Sequence, residues 1–281
     1  MLIAQITDIH IGFDPGNADE YNLQRLRAVI ARVASAPNRP DLVLLTGDLT
    51  EWGDAASYAR LVAELAPLTM PVWPMVGNHD LRAPLLAAFP HVKCAGEYLQ
   101  YAIDLPGFRV LMLDTLEEGR HGGAFCEARA AWLSAELAAQ PGTPTLVALH
   151  HPPFESGIHW LDGAAREPWM ARFAAAIAGH DQIVGIVSGH LHRTIATGFG
   201  GVPIIVAPST APAVALDLTA IDPAAPDDRA MITDEPPGYA IHRWDGELLI
   251  SHFEAVADWR VFASYDAGMQ ELVQIIAAER P

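Results

Sequence analysis

Cysteine is nearly absent from this chain: 281 residues hold two, Cys94 and Cys126, with no paired spacing and no CxxC. That excludes a disulfide framework and a zinc ribbon, and makes two small buried thiols the expected reading. Basic residues are scarce as well, with 17 Lys and Arg against 34 Asp and Glu and a formal net charge of −17. A surface of that sign repels polyanions, so no nucleic-acid polymer and no anionic membrane is expected as a partner. No apolar run reaches transmembrane length. The N-terminus lacks a basic region, and its apolar stretch Met1–Ile6 is cut off by Thr7 and Asp8, too short for a signal peptide. A cytoplasmic protein is the expectation. Internal repeats and a clean linker are absent too, so residues 1–281 are expected to fold as one unit.

The chain does have a hydrophobic fraction of 51%, enough for a substantial core. Its first half alternates. Leu2–Ile6, Leu42–Leu45 and Val72–Val76 read as buried strands, and Tyr21–Ala34 and Ala55–Leu65 between them show helical spacing. Asp54 is placed to cap the second helix. Such β-α-β-α-β steps predict parallel strands with right-handed crossovers in one open α/β sheet. Tyr98–Asp104 and Arg109–Asp114 read as a hairpin-like pair around Pro106-Gly107, Glu127–Ala139 as a helix, and Thr145–Leu149 as a strand. Ala164–Ala178 reads as a helix with Pro168 in its first turns, and Ile183–Val187 as a strand. The last third is richer in strands: Thr194–Gly198, Val202–Ala207, Tyr239–Trp244 and Glu247–Phe253. Asp245-Gly246 is a type I′ hairpin signal between the last two. Pro208–Pro237 reads as a loop or lid, and Asp266–Glu279 as a terminal helix capped by Asp266.

Five short segments fall just after the carboxyl ends of expected strands, where open α/β sheets place ligands. They are Asp8-Ile9-His10, Gly47-Asp48, Gly77-Asn78-His79-Asp80, His150-His151 and Gly189-His190-Leu191-His192. Taken singly, each has an ordinary reading: a capping Asp, a loop His, a Gly-Asp turn. Together they offer two carboxylates, one amide oxygen and four imidazoles, enough to hold two divalent metals without a thiolate. On an extended segment, residues i and i+2 share a side, so Asp8 and His10 are expected to converge. One of His190 and His192 can serve each ion. A carboxylate has two oxygens, so Asp48 can bridge, with Gly47 allowing a sharp turn beneath it. His79 points away from Asn78 and so can face the substrate. Asp80 is expected to cap the helix that follows, or else to orient His79.

The ordered set D-x-H, GD, GNHD, H, GHxH resembles the calcineurin-like metallophosphoesterase superfamily, and within it the bacterial class III cyclic nucleotide phosphodiesterases and binuclear glycerophosphodiesterases. The motifs span about two thirds of the chain; the stretch after Ala207 is matched only loosely. The resemblance implies a four-layer αββα sandwich of two mixed sheets flanked by helices. It implies one metal held by Asp8, His10, Asp48 and His192, and a second by Asp48, Asn78, His150 and His190. His79, with Asp48 and Asn78, becomes part of the catalytic group. The implied activity is hydrolysis of small phosphodiesters, such as 3′,5′-cAMP or glycerophosphodiesters, by in-line attack of a hydroxide held between the metals. A phosphomonoesterase on the same site and a non-enzymatic scaffold of the same fold are the alternatives. The ligand types suit Mn, Fe, Co or Zn. Relatives form dimers or larger rings, which leaves a homo-oligomer open. Outside the motifs, Trp52 and Phe154 are read evenly as pocket walls or core. His121 with Gly122-Gly123 reads as a solvent-exposed residue ahead of the alternative, a mobile loop near the site; His91, His159, His180, His242 and His252 read as surface or satisfied residues, and Asp227 and Asp228 as solvated charge.

Overall fold

A computed structural model describes residues 1–162 and 167–279. Its elements run β1 (Leu2–Ile6), α1 (Tyr21–Ser35), β2 (Leu42–Thr46), α2 (Ala55–Glu64), β3 (Val72–Met75), α3 (Arg82–Ala88), β4 (Tyr101–Leu105) and β5 (Phe108–Leu113). They continue with α4 (Glu127–Ala139), β6 (Thr145–Leu149), α5 (Pro168–Ile177), β7 (Ile183–Ser188), β8 (Ile195–Phe199) and β9 (Val202–Val206). The last are β10 (Ala213–Val214), β11 (Ile232–Thr233), β12 (Gly238–Trp244), β13 (Leu249–Ala255) and α6 (Gln270–Ala278).

The strands form two large mixed sheets, ordered β13-β12-β1-β2-β3 and β4-β5-β6-β7-β9-β8. Within the first, β1, β2 and β3 are parallel, as the alternating pattern requires, and β12 joins antiparallel. The residue pattern alone pointed to one open sheet; two are present. The reason is visible in β5 and β6. Val110, Met112, Leu146 and Ala148 join the core shared with β1, β2 and α1, while Leu111, Leu113, Val147 and Leu149 pack with α4 and α5. Each strand is apolar on both faces, one turned to the other sheet and one to helices, and that pattern reads the same in a central strand of either architecture.

Between the sheets, one layer below the strand ends, lies a buried polar network. Gln5 Nε2 donates to Thr46 Oγ1 at 2.8 Å and to the Ser188 carbonyl of the opposite sheet at 3.0 Å. Its Oε1 lies 3.0 Å from His242 Nε2, and His242 Nδ1 lies 2.8 Å from Ser251 Oγ. This fixes β7 against β1 and β2 just before all three release their loops.

Several local expectations change. Asp54 does cap α2, accepting from Ser57 N–H. For α6, however, the N-cap is Met269 without a side-chain bond; Asp266 instead accepts from Gly268 N–H in the preceding turn. The β12–β13 hairpin pairs Trp244 with Leu249, so its loop has four residues, stabilised by Asp245 Oδ1 accepting from Glu247 and Leu248 N–H, and is not a two-residue type I′ turn. Cys94 is exposed and Cys126 half-buried at the start of α4, not two buried thiols. The expected start of α5 at Ala164 lies outside the described residues. Among the described residues, no helix is long and apolar enough to cross a membrane.

Burial holds His242 neutral, pushing its pKa down to about 4. The unfolded chain, with an ordinary histidine near 6.5, therefore binds the extra proton. Stability from this site is present in full above pH 6.5 and is lost as pH falls toward 4, by about 3 kcal/mol. Urea unfolding across that range should show a shallower pH slope for His242→Gln than for the parent; equal slopes would show that His242 is not the buried neutral group.

Candidate metal centre

Six non-glycine residues among those described adopt positive φ, and five are Asp8 (52°), His10 (53°), Asp48 (50°), His190 (72°) and His192 (50°). For side-chain-bearing residues this left-handed conformation is uncommon, and clusters of it mark functional sites. It also corrects the i, i+2 argument. Asp8 and His10 converge through two left-handed kinks, held by Asp8 N–H on the Gly47 carbonyl and by Ile9 and His10 N–H on the Asp48 carbonyl. They do not lie on extended chain.

The loops bring all the expected residues together. His10 Nε2 lies 3.1 Å from His192 Nε2 and 3.6 Å from Asp48 Oδ2, and His192 Nε2 lies 3.6 Å from Asp8 Oδ1. On the other side, His150 Nε2 lies 3.2 Å from both Asp48 Oδ2 and Asn78 Oδ1, and His190 Nδ1 lies 3.0 Å from Asn78 Oδ1. Asp48 stands between the two groups. Both glycines beneath it are required: a Cβ on Gly47 (φ +92°) would sit 2.4 Å from His150 Nδ1, and one on Gly77 would sit 2.2 Å from Asp48 Oδ1.

Hydrogen bonds at the far side of the rings decide what the near side presents. His192 Nδ1–H donates to the Pro212 carbonyl at 2.9 Å, and His150 Nδ1–H donates to the Thr46 carbonyl at 2.8 Å. His10 Nδ1 lies 2.7 Å from Glu51 Oε2. A neutral imidazole carries one N–H, so with Nδ1 committed, each Nε2 presents a lone pair. His10 and His192 then aim lone pairs at each other, and His150 aims one at two oxygen acceptors. Such a set is repulsive unless positive charge sits among it. The charge balance of the groups says the same. Burial favours neutral rings at His150 and His10, yet the Asp48 charge and hydrogen bond raise His150 to about 9, and the Glu51 hydrogen bond with the Asp48 and Asp8 charges raises His10, so these donors draw in a proton or another cation. Burial pushes His190 and His192 down, so they are neutral, as metal ligands must be. The donors present, carboxylate, amide oxygen and imidazole, suit divalent first-row metals. The residues therefore fit a metal centre.

His79 is different. Its N–H donates to Asp48 Oδ1 at 2.9 Å, its Nδ1 lies 3.1 Å from the Glu51 carbonyl, and its ring stands edge-on to His10 and partly exposed. It borders the cavity, with a ring nitrogen within 4.8 Å of donor atoms on His10 and Asp48. Asp80 is neither cap nor orienter: α3 begins after Leu81, and the buried Asp80 carboxylate accepts from Gly77, Leu49 and Thr50 N–H and from Tyr58 O–H. It pins the Asp48 loop to the Asn78 loop.

A cavity of about 650 Å³ opens over the donors, with Phe13, Trp160, Leu161, Pro212, Val214 and Ile232 among its walls. Trp52 is 66% exposed and lines none of it; Phe154 lines an adjoining pocket beside His151. His121 is exposed, as expected, but its ring lies 4.8 Å from that of His190 and its Nδ1 3.4 Å from Asn78 Nδ2. Glu51, three residues after Asp48, is a site residue that motif reading passed over, and His121 is one it ranked as exposed ahead of site-adjacent. Only the neighbourhood of Gly122-Gly123 hinted at the second.

Residues 1–194 match the model of a family described as calcineurin-like phosphoesterase. A probable cyclic nucleotide phosphodiesterase from Rhodopseudomonas palustris is 34% identical over 93% of this chain and 99% of its own. A probable glycerophosphodiester phosphodiesterase from Arcobacter nitrofigilis is 29% identical over 88% and 90%. Among solved structures, a dimetal phosphatase from Danio rerio superposes with a TM-score of 0.60 at 14% identity, covering 92% of this chain and 99% of that one.

Removing an acceptor that orients a ligating histidine typically costs about 10–100-fold in metal affinity or activity. Glu51→Ala should weaken Mn²⁺ binding by that amount in calorimetric titration, and Glu51→Gln by less. Parent-like affinity in Glu51→Ala would remove Glu51 from the centre.

Proposed function

The chain belongs to the calcineurin-like phosphoesterase family, hydrolases of phosphate esters that use divalent metals, and from that premise we propose that it is a binuclear phosphodiesterase acting on small phosphodiesters. The observation that carries this reading is the pair of donor groups on either side of Asp48, each built of inward lone pairs. Asp8, His10, Asp48 and His192 would hold one ion, and Asp48, Asn78, His150 and His190 the other. Two divalent cations held there supply Lewis-acid stabilisation of phosphoryl oxygens and make a nucleophile from water available at neutral pH.

The remaining work falls to the chain's own groups. His79 Nδ1 is turned to the Glu51 carbonyl, so Nε2 faces the cavity. There, with Nδ1–H donating to that carbonyl, Nε2 carries a proton in the imidazolium form, which is the form placed to donate to the leaving alkoxide or a phosphoryl oxygen. Asn78, oriented among His150, His190 and His121, keeps a neutral oxygen in the donor set and limits its negative charge. The segment 208–237 serves as a fixed wall more than a lid. Arg25 donates to the Thr210, Ala211 and Glu235 carbonyls, and Arg193 to the Val214 carbonyl, anchoring both ends. Pro212, Val214 and Ile232 from this segment, facing Phe13 and Trp160, give the cavity an apolar side. That side suits the planar base of a cyclic nucleotide better than a glycerol headgroup.

The discriminating measurement is kcat/KM for bis(p-nitrophenyl) phosphate against p-nitrophenyl phosphate with Mn²⁺-loaded protein, followed by 3′,5′-cAMP against glycerophosphoethanolamine. A diester and then a cyclic nucleotide preference is expected; a monoester preference would overturn the substrate class and leave the metal centre standing. His79→Ala should lower kcat by about 10²–10⁴-fold, the usual worth of a general acid, and retain metal. Asp48→Ala should lose metal as well. Equal metal loss in both would end the role given to His79.

A further inference from the structure

The mouth of the cavity over the metal donors is apolar where water reaches it. Phe13 is 69% exposed and Ile232 54%, and both line the cavity. Leu216, two residues past the wall residue Val214, is 66% exposed. Single exposed apolar residues are ordinary; several at the mouth of one site mark a ligand-binding groove. The backbone shows how the wall is built. Pro212, whose carbonyl holds His192, marks its inner end. β10 and β11 then pair Val214 directly with Ile232, so both side chains leave the ribbon on one face, and both line the cavity. Val214 is buried in a cluster with Leu161, against which Trp160 packs, and Arg193 fixes the Val214 carbonyl. One further bond joins Ala215 N–H to the Met231 carbonyl at 2.8 Å, and Asp217 N–H turns back onto the Ala215 carbonyl, leaving Leu216 at the tip of the turn. The wall therefore runs outward from the donors, from buried Val214 through Ile232 to Leu216.

We propose that the site accepts phosphodiesters whose second ester arm is an alkyl or aryl group, with that arm lying along Val214, Ile232 and Leu216 and facing Phe13. This rests on the phosphodiesterase reading and widens it: a cyclic nucleotide, whose base is one flat apolar-faced arm, becomes one member of the class. Continuity is the first argument. The wall begins at a donor histidine, so whatever covers it is attached to a group at the donors. Size is the second. A volume of about 650 Å³ is that of pockets that bury most of a drug-sized ligand, more room than a diester of two small alcohols needs. The third is the state of the cavity's polar residues. Glu20 already accepts from Gly12 and Asp14 N–H and pairs with Arg60, Asn22 donates to the His10 carbonyl, and the Tyr21 hydroxyl is turned to Asp234. None of these three is free to read a glycerol or sugar hydroxyl, whereas the apolar wall needs only contact. The arm is that of a dissolved amphiphile. A face that seats on a bilayer carries basic residues around its apolar part; here the neighbours are Asp14, Asp217 and Asp234.

The test holds the leaving group constant and varies the other arm: kcat/KM of Mn²⁺-loaded protein for methyl, butyl and hexyl p-nitrophenyl phosphate, each hydrolysed to p-nitrophenolate and the alkyl phosphate. Every methylene that becomes buried is worth up to about four-fold, so the hexyl ester should exceed the methyl ester by at least about 30-fold, mostly through KM because the contact is the same in ground and transition states. Leu216→Ser should lower the hexyl-to-methyl ratio several-fold, a ratio that cancels any general loss of activity. Calorimetry supplies a readout without turnover: dihexyl phosphate should bind more tightly than diethyl phosphate by a similar factor. A hexyl-to-methyl ratio near one with the methyl ester turned over, or a ratio that Leu216→Ser leaves unchanged, would overturn this inference and leave the diesterase reading intact. Turnover of p-nitrophenyl phosphate but of none of the diesters would overturn the diesterase reading, and equal binding of the two dialkyl phosphates would then remove this one too. Flotation of the protein with phosphatidylcholine vesicles would overturn the dissolved form of the arm.

Discussion

Imidazole lone pairs aimed at one another are what the rest of this structure has to accommodate. His10 and His192 face nitrogen to nitrogen at 3.1 Å, and His150 faces two oxygens, because their other nitrogens are tied to Glu51, Pro212 and Thr46. Five of the residues concerned sit in left-handed backbone, which costs on the order of 1–3 kcal/mol each. The strain is comparable with the whole net stability of an ordinary domain. It persists because the surroundings leave the loops no alternative: β1, β2, β6 and β7 are buried on both faces, and the Gln5 network ties the two sheets together below the loops. A cation that binds only the folded chain adds its binding free energy to stability. Strain, orientation by carbonyls and metal affinity are thus three aspects of one design.

The carbonyls deserve as much weight as the ligands. Each belongs to a backbone that the sequence does not mark. Thr46 is the last residue of β2, and its carbonyl also accepts from Thr7 Oγ1 at 3.2 Å. Pro212 lies in a segment that looked like a loop, and Arg25 fixes it through the neighbouring Thr210 and Ala211 carbonyls. The wall of the cavity and the orientation of a donor histidine are therefore built from the same stretch of chain.

Much of this was legible before the structure. The strand ends could be read because buried strands are short apolar runs closed by Gly, Asp or His, and the seven residues expected as donors lie on the loops that follow such ends. Residue types that a metal centre would need are chosen by chemistry and not by the local fold, so they stand out against any local pattern. What was not legible depends on contacts between distant segments. Glu51 looks like an ordinary helix-side acid until His10 is folded over it. Asp80 looks like a cap until Tyr58 and two loops close on its carboxylate. Trp52 reads evenly as pocket wall or core, yet the chain turns it outward into neither, and Trp160, which no motif flags, lines the cavity. Convergence of Asp8 with His10 was anticipated, but through extended backbone; the kinked backbone here is held by the Gly47 and Asp48 carbonyls of the loop after β2.

The charge of the chain and the charge of its site pull in opposite directions, and their difference in range lets both operate. Two divalent ions set against Asp8 and Asp48 leave the proposed centre net positive, and because the donors are buried that field is little screened at contact. The 34 acidic residues act mainly at the surface, where salt screens them beyond about 8 Å. A small anion that reaches the cavity experiences the centre. A polyanion must lay most of its phosphates along the acidic surface and is repelled there. On the proposed reading, the same surface that disfavours a polyanion favours small phosphate esters, before any wall of the cavity makes a finer choice.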